Sequence, residues 1–204
     1  MIFIPSGEIN LEAGLGRGEP NRGAVVAHPH PQYGGSMHDY VVSIALSALA
    51  DAGWTTLRFN FRGVGQSEGS FDNGVGEAED LAAAAAYLKE NGASQPLVAG
   101  YSFGAAIAVQ AWARLKELEV RPLILIALPA AFMSFDSLEP EIDIGLIVCG
   151  GRDYIAPPER VRELGRNLAK PVEPVIIPEA DHFFGGCEQE LTEALKTYLK
   201  EIEG

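Results

Sequence analysis

The chain has 204 residues, 47% of them hydrophobic and 21% charged, which fits one globular domain over residues 1–204 and excludes a largely disordered chain. Asp plus Glu number 28 against 15 Lys plus Arg, a formal net charge of −13, and such a surface repels both phosphate backbones and anionic lipid, so neither nucleic acid nor a membrane is expected as a partner. Two cysteines, Cys149 and Cys187, are too few for a disulfide scaffold or a structural zinc site, residues 1–11 lack the pattern of a signal peptide, and no apolar run nears the roughly 20 residues of a membrane helix, so a cytoplasmic protein is expected.

In chain order, residues 1–20 are Gly-rich with weak strand signals at 1–4 and 9–11 and are expected to form an edge hairpin. Residues 23–28 (GAVVAH) read as a buried strand ending in a proline-broken loop. Residues 37–52 have helical length and apolar spacing, stopped by Gly53. Residues 55–61 (TTLRFNF) are strand-like. A helix with an acidic start is expected at 77–91, a strand at 96–101, and one long helix at 103–118. Continuous apolar runs at 123–128 and 142–149 predict two more strands. A proline-entered helix at 157–168, a strand at 173–177 and a final helix at 188–202 complete the chain. Apolar strands alternating with helices predict a mostly parallel sheet covered on both faces, with right-handed crossovers.

Gly100-Tyr101-Ser102-Phe103-Gly104 is a G-x-S-x-G placed between an apolar strand and an alanine-rich helix, the context the motif needs. A reversal from strand to helix in one residue strains the backbone at Ser102 and holds its hydroxyl over the helix N-terminus. A serine hydroxyl is a weak nucleophile and needs a base. Of His28, His30, His38 and His182, only His182 follows the serine, so an order Ser…acid…His selects it. The acid should lie between them at the carboxyl end of a strand, where Asp153 sits after Gly150-Gly151-Arg152. Asp136 is the runner-up, Asp143 is at the wrong end of its strand, and Asp181 is too near His182 to reach its ring.

An oxyanion hole needs two backbone donors. One is expected at Phe103, directly after the nucleophile. The other is expected in the loop His28-Pro29-His30-Pro31-Gln32-Tyr33-Gly34-Gly35, where the prolines have no N–H and His30, Gln32 and Tyr33 remain, His30 being favoured by position. Tyr33, Tyr101, Tyr154 and Phe183 flank these positions and are the pocket candidates, with Phe103 beside them; core packing accounts equally well for each. The group His28, His30, His38 and Asp39 has metal-ligand chemistry, but loop rigidity and hydrogen bonding explain it as well, and no metal or other cofactor is expected. Gly63-Val64-Gly65 lacks the G-K-[ST] of a phosphate loop, and neither cysteine sits at an elbow.

The stretches at 28–35 (HPHPQYGG), 59–69 (FNFRGVGQSEG), 100–104 (GYSFG), 150–153 (GGRD) and 180–183 (ADHF) together resemble the α/β-hydrolase family, and within it a small bacterial group with an H-P-H-P-x-x-G-G loop. The resemblance spans about residues 20–200. It implies an α/β-hydrolase fold with a twisted, mostly parallel sheet of seven to eight strands, a reduced first hairpin, helices on both faces and no cap domain. It implies a Ser102–His182–Asp153 triad without a cofactor, and a structural turn at 62–67. The related dienelactone hydrolases carry Cys at the elbow, whereas dehalogenases and epoxide hydrolases carry Asp; Ser102 disfavours those activities. Where the family often inserts a lid, this chain has only residues 129–141, so an open site is expected. The expected function is a serine hydrolase of the carboxylesterase kind acting on a small-molecule acyl substrate. The alternatives are the same triad acting on thioester or peptide bonds, and a non-catalytic binding protein on this fold. A homodimer through the last strand and helix is the self-association such folds commonly use.

Overall fold

A computed structural model describes residues 1–133, 139 and 141–203. Eight strands form one sheet: β1 (Ile2–Ser6), β2 (Ile9–Gly16), β3 (Glu19–Ala27), β4 (Trp54–Phe59), β5 (Leu97–Tyr101), β6 (Leu123–Ile126), β7 (Ile144–Gly150) and β8 (Val175–Ile177). The helices are α1 (Tyr40–Asp51), α2 (Val75–Glu90), α3 (Phe103–Gln110), α4 (Trp112–Glu117), α5 (Pro158–Asn167) and α6 (Glu188–Glu201).

The strand order is β1-β2-β4-β3-β5-β6-β7-β8. β2 pairs antiparallel with both β1 and β4, and every pairing from β4 to β8 is parallel. The central strands β5 and β6 are buried throughout, and the paired stretch of β3 and most of β7 are apolar and buried with them (Val25, Val26, Leu97, Val98, Leu125, Ile147), because helices cover both faces. α1 packs on α6, and α2 packs on α3 and α4, with the same central strands between the two groups.

The chain leaves β3 toward β4 but leaves β5 toward β6, so the winding reverses between β3 and β5. Such a switch point opens a crevice at the carboxyl ends of the two strands. The loop after β3 begins at His28 and the turn after β5 is Ser102, which places both at that crevice.

Three expectations need correction. The first hairpin is not reduced: β1 has five residues and β2 has eight, anchored by the buried Ile4, Leu11 and Ala13. The helix expected at 103–118 is two helices, because the backbone opens at Ala111 (φ −78°, ψ −3°), whose carbonyl then accepts from both Arg114 and Leu115. The strand expected from residue 142 starts at Ile144. The segment expected to stand in place of a lid, 129–141, lies partly outside the described residues. Its described start is a 3-10 turn over Ala130–Phe132.

Candidate active site

Ser102 has φ 53° and ψ −117°, a left-handed region disfavoured for residues with a Cβ. The surrounding structure enforces it. A Cβ on Gly100 would lie 2.3 Å from the Gly104 carbonyl oxygen, and one on Gly104 would lie 2.4 Å from that of Ala27. Only glycines let β3, β5 and α3 approach this closely. Phe103 then opens α3, where its N–H has no acceptor within the helix.

His182 sits past β8, buried together with Asp153. Its Nδ1–H donates to Asp153 Oδ2 at 2.7 Å, and Ser102 Oγ–H donates to Nε2 at 2.9 Å, the tautomer following from a carboxylate that can only accept. The other carboxylate oxygen, Asp153 Oδ1, accepts the N–H groups of Ile155 and Ala156, each at 2.8 Å. The buried carboxylate is thus bonded at both oxygens, as burial of a charge demands. Tyr101 supports the histidine loop from below. Burial pushes its hydroxyl pKa up, and that hydroxyl donates to the His182 carbonyl oxygen at 3.0 Å.

The rival acids are placed elsewhere. Asp143 accepts from Lys170 Nζ at 2.7 Å at the amino end of β7, and Asp181 Oδ1 accepts the Phe183 N–H at 2.9 Å within its own turn. Asp136 lies outside the described residues.

The loop after β3 is fixed by its own backbone. The Tyr33 and Gly35 N–H groups donate to the His30 carbonyl oxygen, and the Gln32 N–H donates to His30 Nδ1. Of the three donor candidates in this loop, only the His30 N–H has no acceptor among the described residues. A Cβ on Gly35 would lie 2.1 Å from the Pro29 carbonyl oxygen, so this closed turn needs glycine. The His30 ring packs against Tyr33, Phe71 and Phe103 at centroid distances of 4.8, 5.1 and 4.7 Å.

His28 has a different task. Its Nε2 accepts the Phe61 N–H at 3.0 Å, and its Nδ1–H donates to the Pro29 carbonyl oxygen at 2.6 Å. Desolvation lowers its pKa to about 4, outweighing the raising effect of the Pro29 bond. It therefore stays neutral and ties the loop to the end of β4. Among the described residues no group of three His, Cys, Asp or Glu is placed to hold a metal ion. Cys149 lies inside β7, where burial pushes its thiol pKa up to about 12 and keeps it protonated.

The 62–67 turn is wired into the sheet. Arg62 holds the fully buried Asp80 with Nε and Nη2 at 3.0 and 2.8 Å, and Glu12 Oε2 accepts from Asn60 Nδ2 and the Gln66 N–H, both at 2.8 Å. Asn60 Oδ1 in turn accepts the Met37 N–H at 2.8 Å, which anchors the entry to α1.

Two cavities meet at Ser102, sharing His30, Tyr33 and Ile155. The smaller, about 260 Å3, is completed by Pro29, Gly34, Gly35, Asp39, Tyr101, His182 and Phe183. The larger, about 540 Å3, is completed by Phe103, Ala106, Pro129, Phe132 and Met133. Tyr33, Tyr101 and Phe183 thus lie where the sequence reading expects pocket residues. Tyr154 does not: it is 77% exposed and lines neither cavity. The two bonds to Asp153 Oδ1 turn the chain so that Ile155 faces the cavities and Tyr154 faces solvent. Sequence reasoning missed Ile155, Phe132, Met133 and Asp39. Asp39 caps α1, with Oδ1 accepting from Val41 and Val42 N–H at 2.9 and 3.4 Å, and desolvation raises its pKa despite those bonds.

Comparison with known proteins agrees with this architecture. A family model described as the α/β-hydrolase fold matches residues 30–146. An uncharacterized protein of Rickettsia prowazekii is 40% identical over 190 residues, 88% of this chain and 79% of that protein. A Xanthomonas campestris α/β serine hydrolase without a lid superposes with a TM-score of 0.88 at 34% identity, covering 98% of this chain and 93% of its own. An α/β serine hydrolase homologue from Coxiella burnetii superposes with a TM-score of 0.86 at 37% identity, covering 96% and 95%. No described helix is long and apolar enough to cross a membrane. The chain belongs to the α/β-hydrolase superfamily and groups with its serine hydrolases.

Proposed function

We propose that the chain, as one α/β-hydrolase domain over residues 1–204, hydrolyses carboxylic esters through an acyl-enzyme on Ser102. The observation that carries this reading is the unbroken relay of Ser102 Oγ to His182 Nε2 at 2.9 Å and His182 Nδ1 to Asp153 Oδ2 at 2.7 Å; the Phe103 and His30 N–H groups have no acceptor among the described residues.

Ser102 Oγ attacks the ester carbonyl carbon while His182 Nε2 takes its proton. Asp153 holds the tautomer that leaves Nε2 free to accept, and stabilises the imidazolium that forms. The carbonyl oxygen becomes an oxyanion facing the N–H groups of Phe103 and His30. Donors already in place cost no reorganisation at that moment, and one such donor is typically worth about 10²–10³ in kcat. The Phe103 N–H also lies at the positive end of α3. His182 then returns the proton to the departing alcohol as the C–O bond breaks, and a water repeats the sequence on the acyl-enzyme. The chemistry needs no metal or redox group.

The test is a panel of esters, thioesters and amides of graded acyl length, with Ser102→Ala as the control. The expected result is turnover highest on esters and reduced at least about 10³-fold in the variant. Equal turnover in Ser102→Ala would refute the mechanism, and a preference for thioesters or amides would move the triad to those bonds.

A further inference from the structure

The two cavities at Ser102 are not equivalent. The His182 ring lines only the smaller and Phe103 only the larger. In the acylation step above, His182 protonates the departing alcohol oxygen through Nε2, so the leaving group departs on the histidine side. The smaller cavity is then the alcohol side. The larger, walled by Phe103, Ala106, Phe132 and Met133, is the acyl side.

The alcohol cavity has one carboxylate in its lining, Asp39, and neither Lys nor Arg lines it. Asp39 is half-buried, and its cap to α1 uses Oδ1 alone. No donor among the described residues reaches Oδ2. The helix does not require the charge, because asparagine or serine caps as well as aspartate. Within a cavity of about 260 Å3, a partly desolvated carboxylate with one open oxygen gains a bond from a donor on the leaving group. An anionic leaving group meets the same charge, and with no Lys or Arg in the lining His182 alone becomes cationic there, its charge already held by the Asp153 carboxylate.

We propose that Asp39 sets leaving-group specificity: esters whose alcohol carries donor hydroxyls or a positive charge, such as polyol and amino-alcohol esters, are favoured, and esters of hydroxy acids with a free carboxylate are rejected. This rests on the ester-hydrolase reading, and the two can fail separately.

The experiment compares butyrate esters of ethanol, glycerol, choline and glycolate with wild type, Asp39→Asn and Glu117→Gln. Glu117 is an exposed residue at the end of α4, away from Ser102, and its change controls for net charge. Asparagine retains the cap, so Asp39→Asn should unfold at the wild-type temperature. In Asp39→Asn, the choline-to-ethyl ratio of kcat/KM should fall about 5- to 10-fold, and the glycolate-to-ethyl ratio should rise comparably, both chiefly through KM. Glu117→Gln should leave both ratios at wild-type values. Ratios within twofold of wild type in Asp39→Asn, or the same shift in both variants, overturn the inference while Ser102-dependent turnover persists. Loss of Ser102-dependent turnover on the whole panel overturns the functional reading and this inference together.

Discussion

His28 and His182 make an instructive pair. Both are buried, and both lie just beyond a strand at the carboxyl edge of the sheet. His28 spends its two ring nitrogens on backbone groups, Phe61 N–H and Pro29 carbonyl, neither of which can accept a change of charge. His182 spends its nitrogens on a carboxylate and a hydroxyl, and a cavity reaches its ring. Burial is common to both. What separates a tether from a base is whether the partners can trade protons and whether substrate can arrive.

The largest effects should fall on the His182 side. Ser102→Ala should lower ester turnover by at least about 10³-fold, measured as kcat/KM, with little change in unfolding temperature. Asp153→Asn should lower kcat by about 10²–10⁴, because an amide at that place holds the wrong tautomer of His182. An activity within tenfold of wild type would deny Asp153 its role.

The His28 side should respond in stability. Its folded-state pKa, about 4, lies below the ordinary 6.5, so the unfolded chain binds the extra proton first. Stability that is full above pH 6.5 is therefore lost as pH falls toward 4, by about 3 kcal/mol from this one group. Denaturant melts of His28→Gln between those pH values should lack this slope. If wild type and variant lose stability in parallel, His28 is not the titrating group.

Between the two lies Ser102 itself. Its positive φ costs about 1–3 kcal/mol, so Ser102→Gly should raise stability by about 1 kcal/mol while abolishing turnover. The smallest effect belongs to Asp39→Asn, whose retained cap should hold stability within about 0.5 kcal/mol of wild type.

The parts legible in the sequence were those governed by local sterics. The elbow could be read because two glycines around Ser102 admit few other conformations, and the strands because their apolar runs are continuous. His182 and Asp153 were legible from chain order and from their distance past a strand end. The choice of Ile155 over Tyr154 was not, because it depends on two hydrogen bonds to Asp153 Oδ1 that no spacing reveals. Asp39 falls inside the helix expected from residue 37 and in a group with metal-ligand chemistry; the structure starts α1 at Tyr40, makes Asp39 its cap and places it in a cavity. His28 and His30 look alike in H-P-H-P, and only their partners in the folded chain tell them apart: backbone groups of Phe61 and Pro29 for His28, the Gln32 N–H and three aromatic rings for His30.

The central claim is that His182 activates Ser102. Its most direct measurement is labelling with a fluorophosphonate, read by intact mass and peptide mapping. The account predicts a single adduct on Ser102, absent in Ser102→Ala and formed at least 100-fold more slowly in a folded His182→Gln variant. Labelling at another residue, or an unchanged rate in His182→Gln, would contradict it.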